Sequence, residues 1–222
     1  MDKKFKRLKY ACYTTNVSMS VVANLPPVLF ITFRNLYGIS YSLLGLLVLI
    51  NFVVQLSVDL IFSFFSHKFN IPKTVKLTPV LTVVGLLVYA VTPWMFPLNV
   101  YLCLVIGTII FSASGGLAEV LISPVIAALP SKDPDSEMSK LHSIYAWGVV
   151  FVIIFSTLFL LAFGYDNWQY LALTLMLVPL LSCILFSRSD IPRMNTPERV
   201  SDVGRELKNK TLWVCVLAIF FG

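Results

Sequence analysis

Charge is what this sequence has least of. Only 13% of its 222 residues are charged, against about a quarter in a typical soluble domain. Hydrophobic residues make up 58% and the mean hydropathy is +0.85. Burying that much apolar surface in one soluble core leaves too little polar surface to cover it, so a soluble globular fold is excluded. Disorder is excluded too, because disordered chains are poor in aromatic and aliphatic residues and Phe alone occurs 17 times. No CxxC is present. Cys12, Cys103, Cys183 and Cys215 each lie inside an apolar stretch and read as small hydrophobes, not as a disulfide frame or a metal site. GxSxG, HExxH and a phosphate-cradling glycine loop with Lys are all missing. The expectation is therefore no enzyme, no cofactor and no metal. No small-residue cleavage site follows the basic N-terminus, so the first apolar run reads as a retained span and not a signal peptide. Sustained period-two alternation is also lacking, which argues against a β-barrel.

What is present is a series of long apolar runs, roughly 10–33, 41–66, 77–96, 98–129, 141–164 and 168–186, with a seventh starting at 211 and reaching Gly222. A helix needs about 20 residues to cross the hydrocarbon layer, and helices or closed barrels alone satisfy their backbone groups in lipid. The fold class expected is thus all-α: six transmembrane helices plus the start of a seventh. The domains expected are a six-helix bundle over 1–187, a cytoplasmic central loop over 188–210 and a truncated seventh helix over 211–222. Sixteen of the 17 Lys and Arg lie in the N-terminus and in loops two, four and six; Arg34 alone lies in the opposite set. That bias puts the N-terminus in the cytoplasm, in a multi-pass protein of the cell (inner) membrane. It also accounts for the net charge of +6 without nucleic acid; the lipid bilayer is the partner expected. Tyr37, Trp94, Tyr165 and Trp168 fall at the outer ends, where an aromatic belt belongs. A faint internal repeat pairs Pro26-Pro27-Val28-Leu29 with Ser123-Pro124-Val125-Ile126, and Ser40–Gly45 with Ser143–Gly148, so the six spans read as two three-helix repeats, a unit used by many transporters.

Polar residues at membrane depth recur at steps of three and four, which places each set on one helix face. Asn16, Ser20 and Asn24 form such a stripe in span one, and Asn51, Gln55 and Asp59 in span two. Span four has Thr108, Ser112, Gly115, Glu119 and Ser123, and span five begins another with His142, Tyr145 and Gly148. Two readings of these stripes stand side by side: a shared hydrophilic cavity, or ordinary interhelical hydrogen bonding. The cavity reading takes Asn24, Asn51, Gln55, Ser112, His142 and Tyr145 as substrate-contacting residues; for His142 an interfacial position is the alternative. Span three carries Thr78, Thr82, Tyr89 and Thr92 and span six Thr174 and Ser182, with no charged residue in either, and both read as outer helices facing lipid. Glu119 lies alone in a charge-free run, where a charged carboxyl costs roughly 2.5–3.5 kcal/mol. It is read as a proton carrier, the alternative being a permanently neutral carboxyl in a structural hydrogen bond. Asp59, near the cytoplasmic end of span two, is assigned to gating or loop pairing. Pro26-Pro27 interrupts the hydrogen bonding of span one.

These features resemble the N-terminal half of a major facilitator superfamily transporter running on into its seventh helix. The stretch Ser63-Phe64-Phe65-Ser66-His67-Lys68-Phe69-Asn70-Ile71-Pro72-Lys73 is similar to the family's G-x-x-x-D-R-x-G-R-R loop, with Lys68 and Lys73 as its basic residues and His67 in place of the acid. The resemblance implies a gating role for Lys68 and Lys73. Leu117-Ala118-Glu119-Val120-Leu121-Ile122-Ser123-Pro124 resembles the fourth-helix L-E-T-A-A-N-P of fucose–proton symporter-like carriers, with Glu five residues before Pro in both, and 142–148 resembles that subgroup's fifth-helix start. The resemblance implies that Glu119 is a cavity-lining, proton-coupling residue. The first-helix Asp of that subgroup has no counterpart, since the neighbourhood reads Asn24-Leu25-Pro26-Pro27. The function expected is secondary active transport of a small polar solute, such as a sugar, together with protons by alternating access. The alternatives are a proton-driven efflux antiporter or a non-transport multi-span protein. The expectation includes a missing C-terminal six-helix half, the chain being read as a fragment that does not transport alone.

Overall fold

Pro26 and Pro27 shape the first element. A computed structural model describes residues 3–131, 133–192 and 210–221, and among these every regular element is helical. Helix α1 (Lys3–Val28) ends where the two prolines withdraw their N–H donors, and α2 (Phe30–Tyr37) continues at a bend of 44°. Gly38, in the left-handed conformation at φ 65°, closes α2 by donating to the Arg34 carbonyl at 3.0 Å.

Three of the helices that follow start on a side chain that caps unpaired N–H groups. Ser40 accepts from Leu43 at the head of α3 (Tyr41–Phe65), and Asn70 from Lys73 at the head of α4 (Ile71–Met95). After a short 3-10 turn, Pro97–Asn99, comes α5 (Val100–Ala127). Asp133 then accepts from Ser136, with Pro134 in the first turn, to open α6 (Pro134–Phe163). Helices α7 (Trp168–Leu175) and α8 (Leu177–Ser187) together make the next span, and α9 covers Lys210–Phe221. Five helical segments are long and apolar enough to cross a membrane, or six with α1 and α2 taken as one bent span. The six apolar runs of the sequence are thus recovered as spans. Their starts differ in three places: α1 begins at Lys3, not near 10, α4 at Ile71, not near 77, and α6 at Pro134, not near 141. In α4 and α6 the capping residue sets the start, a full turn or more upstream of the apolar run. Most of the expected central loop, 193–209, lies outside the described residues, as does Gly222.

Packing crosses between the repeats. Helix α1 packs on α6 and α8, while α5 packs on α3 and α4, so the lead helix of each repeat lies against the second and third spans of the other. Hydroxyl pairs mark this exchange. Thr15 and Ser182 join α1 to α8 at 2.5 Å, and Thr82 and Ser114 join α4 to α5 at 2.6 Å. The third span is therefore well covered, with Thr78, Thr82, Gly85 and Tyr89 all buried. The second span is the barest: only Leu44, Leu47, Asn51 and Phe62 of α3 are buried. Hydroxyl pairing fastens α4 to α5, while α3 and α6 are barer because they border an open cavity.

Apolar cores close both ends of the bundle. At the end away from the basic loops, Phe33, Tyr89, Phe111 and Trp168 stack edge to face with centroids 4.8–6.0 Å apart. There the Tyr37 hydroxyl accepts from the Trp168 indole at 3.0 Å and pairs with the Gln169 amide at 3.2 Å. Trp168 and Tyr37 thus belong to a packed cluster, while Trp94 and Tyr165 remain exposed as a belt requires. At the basic end, Leu8, Cys12, Phe62, Leu129 and Phe186 form the second core. Above it the Glu137 carboxylate pairs with Lys9 and with Lys140 at 3.3 Å, and accepts from Tyr13 at 3.0 Å.

Candidate functional site

Between the two cores lies a cavity of about 620 Å³, within the range of small-molecule sites. Four helices build it. Helix α1 contributes Asn16, Met19, Ala23 and Asn24; α3 contributes Phe52, Gln55, Leu56 and Asp59. Helix α5 adds Gly115, Ala118, Glu119 and Ser123, and α6 adds His142, Tyr145 and Val149. Steps of three and four recur in every set, widened by the adjacent pairs Ala23/Asn24, Gln55/Leu56 and Ala118/Glu119, so one face of each helix points inward. Two carboxyls, an imidazole, a phenol, three amides and a hydroxyl thus share the wall with apolar side chains, and no Lys or Arg is among the lining residues.

The four cavity helices hold their positions through polar contacts beside the lining. Asn16 donates to the Leu141 carbonyl at 2.7 Å, and Ser20 to the Tyr145 carbonyl at 2.8 Å, fastening α1 to α6. Gly148 makes that approach possible, since a Cβ there would sit 2.6 Å from the Ser20 hydroxyl. On the other side, the Asn51 side-chain oxygen accepts from Ser112 at 2.5 Å and from Gln55 at 3.1 Å, fastening α3 to α5. Asn24 donates back to the Ser20 carbonyl at 2.9 Å, which sets its carboxamide oxygen free as an acceptor.

Of the residues singled out in the sequence, Asn24, Gln55, Glu119, His142 and Tyr145 meet at this cavity. Asn51 and Ser112 are buried in the α3–α5 contact and are not among its lining. For those two the stripe signal reports interhelical bonding, the alternative reading of the same pattern. Asp59, assigned to gating, stands in the cavity wall. Lys68 lies apart, over the Phe65 ring at 5.0 Å, and Lys73 sits in the first turn of α4 with its N–H bonded to Asn70. Sequence reasoning passed over Phe52, Leu56, Met19 and Val149 as cavity residues. Apolar side chains in an apolar helix carry no signal of their own, and only their register with the polar stripe identifies them. Glu119 is exposed to the cavity and, among the described residues, makes no hydrogen bond or ion pair. The alternative of a carboxyl sequestered in a structural hydrogen bond does not describe it. A carboxyl, an imidazole and a phenol share this wall, and the amides around them can bind hydroxyl or amide groups of a solute.

Comparison with known proteins places this arrangement. The family model described as Major Facilitator Superfamily matches residues 11–222. No curated protein matches the chain. Among solved structures, the MFS proton:xylose symporter XylE bound to 6-bromo-6-deoxy-D-glucose superposes with a TM-score of 0.72 at 16% identity, over 97% of this chain and 52% of that one. The chain spans about half the length of that transporter. At this identity, the likeness is one of fold.

Proposed function

The chain belongs to the major facilitator superfamily, and from that premise we propose that it serves a secondary transporter carrying a small polar solute of the sugar class with protons. The observation that supports this most is the polar cavity between α1, α3, α5 and α6, with the unpaired Glu119 in its wall. In the facilitator fold two six-helix halves rock about a midplane site, each half being two inverted three-helix units. In this reading residues 1–187 form one such half, 188–210 link it to the next, and a second six-helix bundle faces the cavity. Glu119 binds the coupling proton; Asn24, Gln55, His142 and Tyr145 contact the solute; Lys68 and Lys73 act at the gate. The basic bias sets the N-terminus in the cytoplasm of a multi-pass protein of the cell membrane.

The amide-rich wall suits hydroxyl donors and acceptors, and Phe52 and Tyr145 offer ring faces for a pyranose. The structurally similar proton:xylose symporter, bound to 6-bromo-6-deoxy-D-glucose, supports the same cargo class and coupling ion. Vesicles from cells expressing the complete two-half carrier test the reading with labelled pentoses and hexoses under an imposed pH gradient. Accumulation of at least one sugar, collapsed by a protonophore, is expected. Failure to accumulate any, with proton-driven extrusion of hydrophobic cations instead, would establish an efflux antiporter.

A further inference from the structure

A second carboxyl stands in the cavity wall beside Glu119. Asp59 lines the same cavity from α3, opposite the α5 face that carries Gly115, Gly116 and Glu119. Its Oδ1 is buried and has no hydrogen-bond partner. An orphaned buried polar atom in a native fold calls for an explanation. The backbones are held unusually close at this point. A Cβ on Gly116 would lie 2.8 Å from the Gln55 carbonyl and 3.1 Å from Asp59 Oδ1, so a glycine at 116 is what permits the carboxyl to rest against α5. Glu119, one turn further along the same helix, lines the same cavity. Glu119 likewise has no partner among the described residues.

Among the described residues, the remaining charged and titratable groups near Asp59 offer no counter-ion. Helix α6 presents His142 and Tyr145, and α1 presents the neutral Asn16 and Asn24. His67 and Lys68, in the Ser66–Lys68 turn after α3, are exposed and outside the lining, with Lys68 over Phe65. Glu137 is committed to Lys9, Lys140 and Tyr13. Two carboxyls with no cation between them and one within contact of a packed glycine cannot both ionise without mutual repulsion.

We propose that Asp59 and Glu119 act as one proton-binding pair, so that Asp59 is part of the coupling machinery and Gly116 is the residue that positions it. This rests on the reading of Glu119 as the proton carrier and extends it. The pair passes from two protons to one to none, and the proton held between the carboxyls is the one exchanged as the cavity changes access. Interacting sites of this kind titrate in macroscopic steps that belong to the pair and not to either residue.

Infrared titration of the purified chain in lipid nanodiscs reads this without any cargo. The carboxyl C=O band of the pair is isolated by subtracting the double variant Asp59→Asn/Glu119→Gln, which removes the other carboxyls from the signal. The wild type is expected to titrate in two steps separated by at least about one pH unit, the threshold for coupled behaviour. Each single variant, Asp59→Asn or Glu119→Gln, should keep one step near the more acidic of the two and lose the alkaline one. Asp59→Glu should restore the alkaline step, and Gly116→Ala should draw the two steps together. A wild-type curve equal to the sum of the two single-variant curves overturns the pair. Where only one single variant folds by circular dichroism, its step is compared with the wild type alone, and a wild-type curve without a further alkaline step overturns the pair. Failure of the underlying reading looks different: Glu119→Gln would retain proton-driven accumulation in vesicles, and the pair would then have no coupling role. An additive titration with accumulation lost in Glu119→Gln leaves Glu119 the sole carrier and removes Asp59.

Discussion

Asn51 shows how one polar stripe serves two purposes. Its side-chain oxygen takes hydrogen bonds from Ser112 across the helix contact and from Gln55 one turn along α3, which leaves Gln55 positioned at the cavity wall. Interhelical hydrogen bonds of this kind contribute about 0.6 kcal/mol on average and up to about 1.7 in membrane proteins. Asn51→Ala is expected to lower stability by roughly that upper value, since it orphans both the Ser112 hydroxyl and the Gln55 amide. Unfolding of the purified protein in mixed micelles measures it, and an unchanged midpoint would show the contact to be idle. The stripes were legible in the sequence because Asn, Gln and Ser at steps of four stand out against an apolar background. Which members are glue and which line the cavity was not legible, since a helix face about 100° wide reaches both the neighbouring helix and the space beside it. Asp59 is the clearest instance: its sequence position near the end of span two pointed to gating, and the close approach at Gly116 turns it into the wall.

At the scale of elements, the bend between α1 and α2 carries the aromatic closure. The prolines set the angle, and the angle brings Tyr37 to Trp168 and Phe33 into the cluster with Tyr89. Replacing both prolines, Pro26→Ala with Pro27→Ala, is expected to straighten the span and part the Tyr37–Trp168 bond. Spin labels at the exposed Leu36 and Tyr170 would report a longer, broader distance distribution by pulsed electron paramagnetic resonance; an unaltered distribution would mean that packing, not the prolines, fixes the bend. Element number and order were readable from run length alone, and the 26–27 break from proline chemistry. Helix starts were not, because Asn70 and Asp133 begin their helices in polar sequence where hydropathy is silent. Coverage of the third span was hidden for a related reason: Thr78 and Thr82 look like neutral filler until Ser114 is found opposite.

For the whole molecule, the fold is that of half a facilitator, with the exchange of partners between α1 and α5 reproducing an inverted repeat only faintly visible at Pro27 and Pro124. The superfamily part of the resemblance is matched by the family model; the nearness to fucose–proton carriers rests on the Glu119–Pro124 spacing. The proposed orientation rests on the sixteen-to-one distribution of Lys and Arg. On a cysteine-free background, Leu98→Cys, at a position 95% exposed in the turn between α4 and α5, is expected to react with an impermeant thiol reagent from outside intact cells. Asp135→Cys, at the start of α6, should react only after permeabilisation; equal labelling of both would refute the topology. The central claim is that Glu119 couples a proton to movement of a solute through the α1–α3–α5–α6 cavity. Its most direct test compares wild type with Glu119→Gln in vesicles, using one transported sugar in two assays. Loss of pH-driven accumulation by at least about tenfold, with sugar exchange at equal concentrations retained, is the expected result. Full gradient-driven accumulation by Glu119→Gln would contradict it.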